Sequence, residues 1–286
     1  MEYLYYPGCS LKSSGRAFEE SLLAVFKSLN VPLKEIEDWN CCGATSYMSI
    51  NETNAISLIA RNLAIAEKMG GTDLMAPCAA CFMGLTKTKN YVETNPAIRE
   101  AVSEDLKKIG YNFHNKINVR HPLDILVNDI GLDKIKSAVK TNLKDLKVVS
   151  YYGCQLVRPF SPFDDQRDPQ TMDQIVKAVG AQPVDWPLKT RCCSGTMTST
   201  LSDIGTRMNF LLLKEAKERG ADMIITACPL CQFNLECFQG KISNKFGEDV
   251  KIPVYYFTQL MGLALGLPKK EIGLHRMLSP LYTVTN

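Results

Sequence analysis

The chain has 286 residues, 45% of them apolar and 22% charged, with a formal net charge of +3. That is enough apolar material for a core without covalent staples, and too little charge to point to nucleic acid or a membrane surface. The longest apolar stretch, 260–267, is far short of the ~20 residues of a spanning helix, and MEYLYYPGCS lacks the basic, then apolar run of a signal peptide, so a cytoplasmic protein with no membrane span is expected.

In chain order, LYYPGC (4–9) reads as a strand ending in Gly-Cys, the glycine giving the backbone room to turn. A helix is expected over SGRAFEESLLAVFKSLN (14–30), where Phe18, Leu22, Leu23, Val25, Phe26 and Leu29 recur at helical spacing. A second strand runs towards the cysteine pair of IEDWNCCG (36–43), and the helix ISLIARNLAIAEKMG (56–70) closes on a glycine. A third strand, in GTDLMAPCAAC (71–81), ends at a C-x-x-C from which a helix starts, and a fourth strand and helix, from INVRHPLDIL (117–126), complete the unit.

The unit then returns. After the polar KTNLKDLK (140–147), SYYGC (150–154) repeats the first strand, and GCQL (153–156) matches GCSL (8–11). PVDWPLKTRCCSG (183–195) matches IEDWNCCG with a shared Asp-Trp, and GADMIITACPLC (220–231) matches GTDLMAPCAAC. FLLLKEAKERG (210–220) again closes a helix on glycine, and IPVYYFTQLMG (252–262) matches INVRHPLDIL. Two homologous domains, 1–143 and 144–267, with a tail at 268–286, are expected. Alternating strands and helices imply an α/β fold: two units related by pseudo-twofold symmetry, each a mostly parallel sheet flanked by helices. Ligands of such sheets bind beyond the C-terminal strand ends, where the cysteines fall.

Ten of the eleven cysteines obey the repeat. Cys9 is followed after 31 residues by Cys41-Cys42 and after 35 more by Cys78 and Cys81; Cys154 is followed after 37 by Cys192-Cys193 and after 34 by Cys228 and Cys231. Cys237 has no counterpart and is expected to be a buried small apolar residue. The odd count and the missing export signal argue against disulfides. A thioredoxin-like dithiol suits each C-x-x-C but leaves the other three thiols of each half unexplained. Structural zinc takes four ligands and suits adjacent cysteines poorly. Iron–sulfur clusters are held by thiolates, and a larger core can use neighbouring cysteines on different irons.

The repeated C-x31-CC-x35-C-x-x-C pattern resembles the CCG cysteine-rich domain of the heterodisulfide reductase family, and two such domains without ferredoxin-like cysteine motifs resemble its catalytic B subunits. The resemblance implies two noncubane [4Fe-4S] clusters, one on Cys9, Cys41, Cys42, Cys78 and Cys81, the other on Cys154, Cys192, Cys193, Cys228 and Cys231. It implies reduction of the coenzyme M–coenzyme B disulfide to two thiols, with one electron supplied from each side of the bond. It also implies partners: the small iron–sulfur C subunit and the flavin-containing A subunit of such reductases, with a hydrogenase as a further candidate. An electron-relay role within a flavin dehydrogenase or thiol:fumarate reductase is the alternative. The second half departs from the pattern at Cys193-Ser194-Gly195, where the first has Cys42-Gly43, so a shifted backbone donor is expected there.

Cys81, Cys231 and His121 are read as catalytic, His121 as a proton donor to a leaving thiolate, with a hydrogen-bonded structural role the other reading. For an anionic substrate, Lys12, Arg158 and Arg191 lie near ligand cysteines and are candidate contacts, as is Tyr256, which occupies the fourth-strand position equivalent to His121. Without a P-loop or a G-x-G-x-x-G, neither nucleotide nor flavin is expected in this chain. The tail is read as a contact with another protein of the complex, with a merely ordered or frayed terminus the other reading.

Overall fold

The computed structural model describes residues 2–44 and 46–279. β1 (Tyr3–Tyr5), β2 (Leu33–Glu35), β3 (Asp73–Met75) and β4 (Asn118–Arg120) form a parallel sheet in the order β2-β1-β3-β4. β5 (Lys147–Tyr151), β6 (Gln182–Pro183), β7 (Met223–Thr226) and β8 (Val254–Tyr256) form a second in the equivalent order β6-β5-β7-β8. This is the expected architecture of two homologous parallel-sheet units. Residues 3–5, 148–151 and 223–226 are buried without alternation, as a parallel sheet covered on both faces requires.

The helices that matter for the site are α1 (Arg16–Ser28), α2 (Glu52–Lys68), α3 (Ala79–Thr94) and α4 (Pro122–Asp124, prolonged by a π-helical turn over Ile125–Ile130) in the first half. In the second they are α5 (Thr171–Ala178), α6 (Ser202–Glu218), α7 (Pro229–Cys237) and α8 (Phe257–Ala264). Gly70 and Gly220, at φ +76° and +72°, end α2 and α6 as expected. The strands are shorter than the sequence suggests. β1 stops at Tyr5 because Pro7 has no N–H for the ladder, and Cys9 is carried on a separate turn, Gly8–Leu11. Among the described residues no helix is long and apolar enough to cross a membrane.

The halves interlock by a pseudo-symmetric exchange. α1 of the first half packs on α8 of the second, and α5 of the second packs on α4 and its π turn in the first. The Ser21 and Thr258 hydroxyls meet inside the first contact at 2.6 Å. At each fourth-strand end an aromatic ring lies flat on one from the other half: Phe18 on Tyr256 (centroids 4.5 Å apart, 3° between planes) and Phe163 on His121 (5.8 Å, 3°). Such pairs contribute roughly 0.5–1.5 kcal/mol beyond their buried area.

This geometry places two of the candidate site residues. His121 and Tyr256 are 0% and 1% exposed, closed over by the opposite half rather than open to a substrate. His121 Nδ1 accepts from the Leu123 N–H (3.2 Å), so its proton sits on Nε2 and is donated to the Pro77 carbonyl (3.0 Å). Burial pushes its pKa down to about 3. A neutral imidazole with both nitrogens engaged positions the loop before Cys78, which fits the hydrogen-bonded structural reading of His121. The Tyr256 hydroxyl donates to Gln232 Oε1 (3.4 Å).

The described part of the tail packs on this chain. Arg276 pairs with Glu20 on α1 (2.7 Å), and the Glu236 carboxylate on α7 accepts from the Leu278 and Ser279 N–H groups (2.8 Å each). Residues 280–286 lie outside the described residues. Cys237 is half-buried rather than buried.

His121 carries a pH signature. The unfolded imidazole takes a proton near its ordinary pKa of about 6.5, whereas the folded one, held down to about 3, does not. Between those values the unfolded state binds more protons, so stability falls as pH falls. From pH 7.5 to pH 5 the loss from this group is about 2 kcal/mol. His121→Asn should be less stable than wild type at pH 7.5 by about 1–3 kcal/mol, and the gap should close towards pH 5. Urea midpoints at both pH values check this; a constant gap would mean that the folded imidazole takes up a proton as readily as the unfolded one.

Candidate metal centres

In the first half Cys9 lies on the turn after β1, Cys41 and Cys42 in the β2–α2 connection, Cys78 at the N-cap of α3 and Cys81 in its first turn. The Cys41 and Cys9 sulfurs are 3.7 Å apart, and those of Cys42 and Cys81 3.3 Å. The second half repeats this with Cys193 and Cys231 at 3.5 Å, and with Cys228 at the N-cap of α7. All ten repeated cysteines are free thiols.

The loops holding them are built alike. The Tyr6 hydroxyl donates to the Asn40 carbonyl (2.8 Å), just before the first cysteine pair; the Tyr151 hydroxyl donates to the Arg191 carbonyl (2.7 Å), just before the second. Each tyrosine ring packs against the tryptophan of the shared Asp-Trp: Tyr6 on Trp39 (5.6 Å) and Tyr151 on Trp186 (5.9 Å). After each pair come two left-handed residues, Gly43-Ala44 (φ +67°, +48°) and Ser194-Gly195 (φ +73°, +56°). The glycine has moved by one position but the backbone path has not, so the expected shifted donor does not arise: the Ala44 and Gly195 N–H groups play the same part. Gly8 and Gly153 are required for a steric reason. A Cβ on either would come within 2.7 Å of the Cys81 sulfur or 2.9 Å of the Cys231 sulfur.

Crowding sets the electrostatics. Hydrogen bonds from Cys41 and Cys81, and from the Ala44 N–H, hold Cys42 well below the ordinary thiol range, while Cys81 is pushed far up by its sulfur neighbours and burial. In the second half the Cys231 S–H, the Gly195 N–H and the Asn234 amide hold Cys193 down to about 6, and Cys231 is pushed up. Asn234 Nδ2 is 3.5 Å from the Cys193 sulfur and also donates to the carbonyl of Gly195 (2.8 Å). The first half has Gly84 at the equivalent position and no such donor.

One cavity of about 240 Å³ lies between the two sets. From the first half it is lined by Cys78, with Ser10, Ala44, Ala79 and Ala80; from the second by all five cysteines, with Tyr152, Gln155, Thr196 and Leu230. Cys231 lines it and Cys81 does not. None of the candidate cations does. Lys12 is held by Glu19 (2.6 Å) and Glu35 (2.8 Å), and the Arg158 guanidinium is donated to the Thr190 carbonyl. Arg158 and Arg191 instead line an outer groove of about 500 Å³, whose wall includes Cys192. Ion pairs hold Lys12 away from the inner cavity, and loop position puts Arg158 and Arg191 on the outer groove beside Cys192.

The donor set suits a multi-iron cluster. Among the described residues, no three His, Cys, Asp or Glu side chains are gathered as ligands of one ion. The thiols approach one another in pairs, Cys9 with Cys41, Cys42 with Cys81 and Cys193 with Cys231. Several thiolates at 3.3–3.7 Å repel strongly unless a cationic core lies among them. Tyr6, Tyr151, Gly8, Gly153 and Asn234 belong to these sites although the cysteine spacing alone does not mark them. The tyrosines stand three residues before Cys9 and Cys154 in both repeats, a register that could have marked them; nothing in the sequence marks Asn234.

Residues 3–86 and 148–236 each match the cysteine-rich domain described as CCG. Over 276 residues the chain is 31% identical to the membrane anchor subunit of the 8-methylmenaquinol:fumarate reductase of Wolinella succinogenes, covering 96% of this chain and 95% of that one. It is 29% identical to the B subunit of the ferredoxin:CoB-CoM heterodisulfide reductase of Methanosarcina mazei, covering 94% and 91%. It is 28% identical to a protein of Archaeoglobus profundus described as like the heterodisulfide reductase B subunit, covering 96% and 94%. The fold is shared, at TM-score 0.77 and 14% identity, with a hypothetical protein from Helicobacter pylori, of whose length this chain spans about half (52%) while 98% of this chain is covered. With two copies of the domain, the chain belongs to the CCG cysteine-rich domain family.

Proposed function

We propose that the chain is the catalytic component of a heterodisulfide reductase, cleaving the CoB–CoM disulfide to two thiols in the cavity between its halves. The observation that carries this reading is that Cys78 of the first half and the five repeated cysteines of the second line one cavity between the halves. Cys9, Cys41, Cys42, Cys78 and Cys81 would hold one noncubane [4Fe-4S] cluster, and Cys154, Cys192, Cys193, Cys228 and Cys231 the other. Bound there, such clusters supply electrons one at a time, and a disulfide takes two electrons and two protons to give two thiols. The chain's own residues shape the space. Ala44, Ala79, Ala80 and Leu230 exclude water from the S–S bond, and Ser10 and Gln155, at equivalent positions of the two halves, offer polar contacts of unequal reach. An unsymmetrical disulfide is thereby held in one orientation. The electrons come from partner proteins, one a small iron–sulfur protein and one carrying flavin.

A second reading, an electron-relay component, is favoured by the fumarate reductase relative and by the absence of any Lys, Arg, Asp or Glu among the described residues lining the cavity. Spectra of the reduced protein with and without coenzyme M separate the two, because a relay centre should gain no thiol-dependent signal.

Anaerobically purified protein should carry about eight irons per chain. Cys42→Ser should remove one cluster's share and leave the other, as iron analysis and EPR would show; about four irons with one zinc would end the two-cluster reading. With a low-potential viologen as donor, Cys81→Ala and Cys231→Ala should each abolish disulfide cleavage while keeping the other half's cluster. Substantial turnover in either would show that one half suffices. Asn234→Leu removes an N–H donor from a ligand sulfur, so the midpoint potential of the second centre should fall while that of the first is unchanged. A redox titration followed by EPR reads both.

A further inference from the structure

The duplication sets one surface beside its own copy. α2 and α6 are both 17 residues long, and at an offset of 150 Leu201 stands where the first half has Asn51, Ile204 where it has Asn54, Met208 where it has Leu58 and Leu211 where it has Arg61. In the first half this face is made for water. Asn51 caps its helix, accepting from the Asn54 N–H (3.0 Å), and Arg61 folds onto the loop before the cysteine pair, pairing with Asp38 and donating to Asn40 Oδ1 (3.0 Å). In the second half the cap is given up: Leu201 makes no side-chain bond to the helix end. Leu201, Ile204 and Leu211 are 53%, 51% and 52% exposed, at spacings that put them on one stripe. Single exposed apolar residues are ordinary; a stripe of them, where the same fold elsewhere places polar groups, marks a covered surface.

The stripe runs to the second thiol set. Met208 and Leu211 line the outer groove, whose wall includes Cys192, and Cys192 also lines the inner cavity. The rim is basic. Arg158 and Arg191 line the groove, and Arg207, exposed on α6, lies within one turn of both Ile204 and Leu211. Among the described residues Arg191 and Arg207 have no ion-pair partner, whereas the first half satisfies its own Arg61.

We propose that this face docks an electron-donor protein: a folded partner with an apolar patch, an acidic rim and a one-electron centre close beneath it. Electrons then enter this chain through its second half, at Cys192, and each encounter oxidises the partner by one electron and reduces this chain by one. Apolar contact supplies the affinity, and the arginines the orientation and rate. The inference rests on the reading above only in that the second thiol set holds a redox cluster.

The test uses the iron–sulfur-loaded full chain and, as probe, a reduced two-cluster ferredoxin, an acidic protein of the required kind. Binding is measured by calorimetry at low ionic strength, and reduction by stopped flow, with methyl viologen as a small donor that needs no docking. Ile204→Glu and Leu211→Glu should weaken binding and slow reduction by ferredoxin by about tenfold or more, with viologen reduction unchanged. Asn54→Glu, in the first half, should alter neither. Leu201→Asn, which restores the cap of the first half, should raise the melting temperature yet weaken binding, which separates docking from misfolding. Ferredoxin that does not bind saturably, or variants that bind and react like wild type, overturn the proposal. So does a wild-type dimer that Ile204→Glu dissolves, since that would give the face to a second copy. Viologen-driven disulfide turnover is scored separately: its absence would sink the catalytic reading while binding and ferredoxin reduction still decide the docking face.

Discussion

Sulfur crowding is the constraint on which the rest of this structure depends. Thiols held 3.3–3.7 Å apart, most of them buried, cannot all ionise without a counter-charge. The protein meets this by bringing backbone N–H groups to the sulfurs and by keeping side chains out of the way. The left-handed pairs Gly43-Ala44 and Ser194-Gly195 turn N–H groups inward, and Gly8 and Gly153 leave room where any Cβ would meet a sulfur. The tyrosines then lock the loops from behind. The short strands serve the same end, releasing the chain early enough for three separate segments of each half to converge.

The two halves share a backbone and differ in detail, and the differences fall on one side. The second half has the amide of Asn234 on a thiolate, the larger share of the cavity lining and the apolar stripe of α6. The first half has Gly84 in place of that amide, Cys78 alone of its cysteines on the cavity, and the polar counterpart of the stripe in Asn51, Asn54 and Arg61. Duplication gives two thiol sets; divergence after duplication gives them different hydrogen-bond donors and different surroundings.

The α/β class, the repeat and the clustering of the cysteines were legible because each leaves a periodic or aligned mark: Phe18 to Leu29 at helical spacing, and single, pair and C-x-x-C in the same order twice. The fate of His121, Tyr256, Lys12, Arg158 and Arg191 was not. Position along a strand predicts that a residue reaches the sheet's edge. It does not say that a helix from the other half will close over it, as Phe18 does over Tyr256, or that Glu19 and Glu35 will meet Lys12. Those contacts join segments far apart in sequence, and no local pattern records them. Asn234 escaped notice for the same reason: its partner Cys193 is 41 residues away.

The interlocked helices also set an order of events during synthesis. Phe18 and the face of α1 around Ser21 are covered by Tyr256, Phe257 and Thr258, which are synthesised more than 230 residues later. Until then the first half can form its sheet while the flank beside its thiols stays open. Any metal that the first thiol set takes up would have its open path during that interval. Closure by α8 and the tail, with Arg276 on Glu20, then seals both halves in one step.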